Sequence, residues 1–175
     1  QVLDRLNDAM IEFVRNQDMA FIATADASGE CDSSFRAGNP GFIHVIDEQT
    51  VAYPEYRGNG VLASLGNIAE NPHIGILLLD FVEHLIGLHI NGTARIVDDD
   101  VIRATVPDLP AERVKGRIPE RWVVVDVEEA YIHCRKHIPR MVPASRLRNW
   151  GTDNVTSKGG DFFGAKATPR PVLSE

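Results

Sequence analysis

The sequence predicts a mainly β domain, an antiparallel barrel with flanking helices. Several short β-branched or apolar segments are separated by turn signals, and few segments have helical periodicity. The 175 residues match the usual size of one domain, and the 43% hydrophobic and 25% charged contents are those of a globular chain. We therefore expect one core within residues 1–142. Residues 143–175, which are polar but contain Trp150, Phe162 and Phe163, are expected to be a tail that packs on the barrel or on a partner subunit.

Seven segments have the composition of strands and are bounded by glycine, proline or polar turn residues. They are residues 19–24, 31–36, 42–46, 50–53, 73–81, 87–97 and 121–127. Gly92 lies inside one of these segments, which indicates a β-bulge or a close backbone approach. Alternation around Gly92 places Asn91, Thr93 and Arg95 on the face away from the core.

Two segments have the apolar spacing of amphipathic helices, residues 3–17 and residues 61–71. The second is stopped by Pro72. Residues 98–117 contain two prolines and predict one or two short helices separated by turns.

Charge and cysteine content exclude several classes of protein. A formal net charge of −7 and a pI near 5.3 leave no basic face for a phosphate backbone, so no nucleic-acid partner is expected. Cys31 and Cys134 form no C-x-x-C motif, which is typical of a reduced intracellular protein. No apolar run approaches the roughly 20 residues of a membrane span, and no signal peptide is visible. We therefore expect a cytoplasmic protein without a membrane partner.

The loop at residues 54–60, PEYRGNG, predicts an anion site because it leads directly into the second helix. A helix start carries unpaired N–H groups and about half a positive charge, and glycines let the backbone approach an anion. Arg57 would add a bidentate cation. Ser64 and Asn67 lie roughly on one helix face with Gly60. The same spacing also fits an ordinary turn and helix cap with a solvated arginine, and it leaves both interpretations open.

Three segments in order, SSFRAGNPGFIHVID, YPEYRGNGVLASLGNIAENPHIGILLLD and GLHINGTARIVD, resemble the pyridoxamine 5'-phosphate oxidase-related flavin-binding proteins. The resemblance covers roughly residues 19–139. It implies a six-stranded antiparallel split β-barrel that binds FMN non-covalently, in a homodimer with the flavin at the subunit interface. It also implies an oxidoreductase that acts on a small-molecule substrate, with a nicotinamide as a candidate electron donor.

The resemblance further implies which residues bind the cofactor. On the strand beside the flavin and near its ring lie Ser33, Ser34, Phe35, Arg36, Ala37 and Gly38. At the phosphate and ribityl end lie Arg57, Gly58, Asn59, Gly60, Ser64 and Asn67. Taken singly, Arg36 is equally compatible with a surface charge, and Ser33 and Ser34 with an ordinary strand edge.

The residues leave alternative functions open. No Ser-His-Asp arrangement or paired carboxylates stand out, which fits a flavin enzyme and equally a non-enzymatic flavin carrier or sensor. Related split-barrel proteins use a deazaflavin or hold haem, and haem would need an axial ligand from His44, His89 or His133. The sequence after Trp150 lacks the R-L-H-D-R-like stretch of authentic pyridoxamine 5'-phosphate oxidases, so a vitamin B6 phosphate is not the expected substrate.

One histidine pair has metal-ligand spacing. His133 and His137 lie in residues 128–141, which are expected to follow the last strand, and on a helix they would share one face. The sequence places no third ligand, and no metal is predicted.

Overall fold

The computed structural model describes residues 1–56, 63–111, 118–144, 154–156 and 159–164. Its elements are α1 (Asp8–Asn16), β1 (Met19–Ala25), β2 (Cys31–Ala37), β3 (His44–Asp47), β4 (Thr50–Glu55), α2 (Ala63–Glu70), β5 (His73–Leu79), β6 (Gly87–Asp98), α3 (Asp99–Thr105), β7 (Arg121–His133) and a 3₁₀ helix (Arg135–His137). These strands pair antiparallel in one sheet with the order β2-β1-β5-β6-β7-β4-β3. The predicted mainly β fold is confirmed. The described sheet has seven strands rather than six because the short strand β3 adds to its edge.

The sheet curls into a barrel that stays open on one side. The edge strand β2 approaches β4 near the other end of the sheet, and Arg36 of β2 forms an ion pair there with Glu55 of β4. Helix α2 contacts both β1 and β2 beside this opening. We call the region between β2, β4 and α2 the seam. An open barrel of this kind agrees with the split-barrel architecture.

Strand β4 extends further than predicted, and the expectation that a loop starts at Pro54 is wrong. Pro54 and Glu55 continue the ladder by pairing with Trp122 and Arg121 of β7. The pairing of β3 with β4 stops at Ala52, so the missing N–H of Pro54 breaks no bond to β3.

Strand β7 is also longer than predicted, because a β-bulge lets it continue past residue 127. Asn91 pairs with Glu129 and Gly92 with Val127, which leaves Glu128 as the extra residue. A Cβ at Gly92 would overlap the carbonyl oxygen of Asp126. The predicted bulge is therefore confirmed, whereas the prediction that residues 128–133 follow the last strand is wrong.

Helix α1 begins five residues later than predicted. Leu3 instead exchanges two backbone hydrogen bonds with Ala130, of 3.0 and 2.8 Å. The side-chain oxygen of Asn7 then accepts the N–H of Met10 at 3.0 Å and caps the helix. The helix buries Val14 against the main core.

The main core fills the barrel, and a smaller one lies under α3. Tyr53 and Ile90 belong to the first, and Trp122 packs with Ile102 and Leu109 in the second. Asp99 of α3 accepts the Trp122 indole N–H at 2.7 Å. Among the described helices, none has the length and hydropathy needed to cross a membrane.

Asp80 organises the connection between β5 and β6. Its carboxylate accepts the backbone N–H groups of Val82, Glu83 and His84 at 2.8, 3.0 and 2.7 Å. Partial burial would by itself raise the pKa of Asp80, but these N–H groups and the His84 ring lower the pKa from 3.8 to about 2. The ionised carboxylate therefore stabilises the loop.

Asp80→Asn is expected to lower the free energy of unfolding at pH 7 by about 2 kcal/mol. The pKa of Asp80 in the folded state lies below its ordinary value. The ionised carboxylate therefore stabilises the fold above about pH 4, and this stabilisation is lost as the pH falls towards 2. Urea denaturation at several pH values would measure it. Asp126→Asn is the matched control, because its ion pair with Arg95 is exposed and should contribute under about 1 kcal/mol. A difference between wild type and Asp80→Asn that stayed constant down to pH 2 would contradict the prediction.

Candidate functional site

Hydroxyl and carboxylate groups of β2 and α2 meet at the seam. The hydroxyls of Ser34 and Ser64 lie 3.0 Å apart. The carboxylate of Asp32 accepts from Ser34 at 2.7 Å and from Ser64 at 3.3 Å. Asp32 and Ser34 face α2 because strand side chains alternate, and Ser64 is buried at the start of that helix. A polar cluster thus links the edge strand to the helix.

An ion pair joins this cluster to β4. The guanidinium of Arg36 donates to one carboxylate oxygen of Glu55 from Nε at 3.0 Å and from Nη2 at 2.8 Å. Burial raises the pKa of Glu55, and Arg36 opposes this rise. Arg36 also approaches the Ser64 hydroxyl at 3.4 Å. The charge of Arg36 is therefore shared between a buried carboxylate and the polar cluster.

A recess of about 330 Å³ opens beside the ion pair. Its lining is formed by Glu55, Tyr56, Leu65, Asp98, Glu120 and Arg121. Tyr56 is the last described residue before residues 57–62, which lie outside the described part of the chain. The recess thus lies where the chain enters the predicted phosphate loop.

Tyr53 contributes a buried hydroxyl that has no hydrogen-bond partner among the described residues. Burial raises the pKa of Tyr53 far above its ordinary value, the nearby Glu55 carboxylate raises it further, and Arg36 opposes this. The phenol therefore stays neutral at physiological pH.

The predicted residues of β2 are divided between two surfaces. Ser34 and Arg36 are half-buried in the seam, whereas Ser33 and Phe35 are exposed on the opposite face of the sheet. A flat ligand lying on one face of β2 can contact one of these pairs and not the other. Ala37 ends the strand.

Of the other predicted residues, some lie in the described part of the chain and some do not. Gly38 is buried where a Cβ would overlap the side chain of Phe42, which gives this glycine a packing role. Ser64 belongs to the seam cluster, and Asn67, one turn further along α2, donates to the Thr24 hydroxyl at 3.1 Å. The loop residues Arg57, Gly58, Asn59 and Gly60 lie outside the described residues. Cofactor binding by any of these residues remains a prediction.

Three residues of the site were not predicted from the sequence: Asp32, Tyr53 and Glu55. Glu55 was assigned to a loop, although continuing the alternation of Val51 and Tyr53 would have placed it inside the barrel. No local signal pairs Glu55 with Arg36, because their contact depends on the curvature of the whole sheet.

An aromatic row crosses the outer face of the sheet. Cross-strand pairing aligns Phe35, Phe21, Leu77, His89 and Tyr131, one residue from each of five neighbouring strands. The side chains of Phe35 and Phe21 are 55% and 36% exposed. We call these five residues the outer aromatic row.

Histidines meet at one end of this row. His89 stacks on Tyr131 with ring centroids 4.6 Å apart, and its Nε2 lies 2.9 Å from Nδ1 of His133. Burial and the neighbouring His133 lower the pKa of His89. His133 and His137 do not share a helix face, because His133 belongs to β7 and His137 to the 3₁₀ helix. Of the three candidate haem ligands, His89 and His133 adjoin each other, while His44 lies on β3.

Within the described residues, no group of three or more His, Cys, Asp or Glu side chains could hold a metal ion.

Comparisons with known proteins agree with this architecture. HupZ of Group A Streptococcus is 21% identical, with a TM-score of 0.55 over 77% of this chain and 98% of that chain. Rv2991 of Mycobacterium tuberculosis, a conserved hypothetical protein, is 17% identical, with a TM-score of 0.53 over 81% and 96%. A Clostridium acetobutylicum protein related to general stress protein 26, of the pyridoxinephosphate oxidase family, is 14% identical, with a TM-score of 0.50 over 75% and 93%. At these identities the likeness shows the fold alone.

The sequence itself gives a more specific match. No curated protein matches the chain. The family model of pyridoxamine 5'-phosphate oxidase, however, matches residues 6–134, from the segment before α1 to the end of β7. This match spans the seam and confirms the family that the sequence resembled. The chain therefore belongs to the pyridoxamine 5'-phosphate oxidase family.

Proposed function

We propose that the chain binds FMN non-covalently at the seam and acts as a flavin-dependent oxidoreductase on a small molecule. The observation that carries this proposal is the pair of hydroxyls, Ser34 and Ser64, beside the Arg36 guanidinium at the start of α2. Such donors suit the ribityl and phosphate oxygens of FMN. The first described turn of α2 also contains no acidic residue, which favours an anion near that turn.

The charges of the seam imply that the neighbouring loop supplies positive charge to a bound phosphate. The described seam contains one guanidinium, that of Arg36, and two carboxylates, those of Asp32 and Glu55. A phosphate needs further positive charge beside these groups. We assign that role to Arg57, which directly follows the recess residue Tyr56 in sequence.

When bound, FMN would supply the transfer of a hydride or electrons, and the chain's own residues would bind and orient it. Arg36 donates two hydrogen bonds to the Glu55 carboxylate, which offsets the repulsion of a phosphate by that group. The Ser34 and Ser64 hydroxyls can exchange their mutual hydrogen bond for bonds to the ligand. The residues of the seam therefore fit FMN once Arg57 is included.

We also propose a homodimer formed through the outer aromatic row. This row ends at Phe35 on β2, the strand that also borders the seam, so the flavin would lie near the subunit interface but on the other face of that strand. Phe21 and Phe35 contact each other with ring centroids 5.6 Å apart and remain substantially exposed. Neighbouring aromatic side chains that remain exposed are typical of an interface. Light scattering of the purified protein would measure its mass, and a monomer would contradict the dimer.

Visible absorbance tests the proposed cofactor. Protein incubated with FMN and freed of excess by gel filtration should keep the absorbance bands of oxidised flavin. Anaerobic addition of NADH or NADPH should then bleach the bound flavin faster than free FMN. Retained flavin without such bleaching would favour a carrier or sensor, and a Soret band would favour haem. Failure to retain flavin would contradict the FMN site and would favour a deazaflavin or another ligand.

A further inference from the structure

A second cavity lies away from the seam, between α1 and the β5–β6 connection. It is a groove of about 950 Å³, which falls within the range of small-molecule sites. Phe13 of α1, Phe81 of the connection and Met141 are among the apolar residues that line it. The N–H of Met141 donates to the Phe81 carbonyl at 2.7 Å, which fixes one wall against another. We call this cavity the α1 groove.

The charged residues that line the groove are predominantly acidic. Its described lining includes the carboxylates of Glu12, Asp18, Asp80 and Glu83 and contains no lysine or arginine. His84 also lines the groove. Its ring Nδ1 lies 3.1 Å from a carboxylate oxygen of Asp80.

Arg140 is a nearby cation that lies outside this lining. Its guanidinium donates to the backbone carbonyls of Val82 and Glu83, at 2.5 and 3.5 Å. The positive charge is therefore held against the loop backbone, and the groove itself combines apolar walls with negative charge.

We propose that the α1 groove binds an apolar organic cation. Burial of the ligand's apolar surface against Phe13, Phe81 and Met141 would supply most of the affinity. The two phenyl rings can also face a cation, and the unbranched Met141 side chain can adapt to its shape. The carboxylates of Glu12 on α1 and Glu83 on the opposite wall would select for positive charge. This inference is independent of the proposed flavin site.

Two ions of nearly the same shape and opposite charge test the selectivity. Tetraphenylphosphonium and tetraphenylborate would be titrated into the protein as purified, by calorimetry at low ionic strength. We expect tetraphenylphosphonium to bind at least about tenfold more tightly. Equal affinity, or tighter binding of the borate, would overturn the proposal.

Variants test whether tetraphenylphosphonium binds in the α1 groove. Glu12→Gln should weaken tetraphenylphosphonium binding by about threefold, whereas Glu30→Gln, which makes the same change of net charge in the β1–β2 turn, should leave it unchanged. Ala9→Trp, at an exposed helix position that lines the groove, should block binding by filling it. Equal effects of Glu12→Gln and Glu30→Gln, or unchanged binding by Ala9→Trp, would overturn the assignment. Flavin retention in each variant separates these outcomes from failure of the FMN site.

Discussion

Arg57→Ala is expected to weaken FMN binding by about 1.5–3 kcal/mol, or roughly 10- to 150-fold, the range for a lost charge-assisted hydrogen bond. The described seam offers the phosphate one guanidinium against the carboxylates of Asp32 and Glu55. Arg36 is already engaged with Glu55, so it is poorly placed to replace the lost charge. Quenching of FMN fluorescence on titration with protein would measure the affinity.

Two further variants test whether the loss of FMN affinity is specific to the guanidinium of Arg57. Arg57→Lys should lose only part of the affinity, because the positive charge stays while the planar fork is lost. Arg5→Ala removes an exposed arginine that pairs with Asp4 and Glu48, and it should leave FMN affinity unchanged. Wild-type affinity in Arg57→Ala would place the phosphate elsewhere.

Gly92→Ala is expected to lower the free energy of unfolding by about 3 kcal/mol. The added methyl group would overlap the carbonyl oxygen of Asp126 within the bulge. The methyl group would be fixed to the backbone of β6, and the carbonyl belongs to the backbone of β7, so neither can move aside as the end of a flexible side chain would. Urea denaturation, with the slope compared between variants, would measure the loss.

Gly66→Ala is the matched control for this substitution. A Cβ at Gly66 in α2 would meet no described atom within 4 Å beyond its chain neighbours and the backbone of its own helix. Alanine in a helix is favoured over glycine by about 0.5–1 kcal/mol, so this variant should be slightly more stable than wild type. Equal destabilisation by both substitutions would show that the crowding at Gly92 is not the cause.

Local pattern predicted most of the strands, because alternation and turn residues act within a few positions. It failed where pairing depends on distant residues. The alternation of β7 is interrupted at Glu128, which is extra in the bulge, so the strand seemed to end at Val127. Pro54 appeared to start a loop, since nothing local shows that β3 has already stopped pairing at Ala52.

The candidate site was predictable in part, chiefly through the resemblance to a known family. Ser34, Arg36 and Ser64 were selected from the sequence, and the fold brings them together at the seam. Their partner Glu55 was not selected, because its contact with Arg36 requires the two ends of a seven-strand sheet to meet. The outer aromatic row could not be predicted from the sequence for a similar reason, since strand register is set by tertiary pairing.

The open barrel also determines where ligand binding should slow the exchange of backbone amide hydrogens. Among the described strands, β2 is hydrogen-bonded to β1 alone, whereas β6 lies between β5 and β7 in the middle of the sheet. Edge segments exchange through small local openings, and central strands exchange through opening of the whole domain. A ligand that connects β2 to α2 would suppress the local openings first. Protection gained in β2 and α2 at ligand levels that leave β6 unaffected would therefore mark the seam as the place of binding.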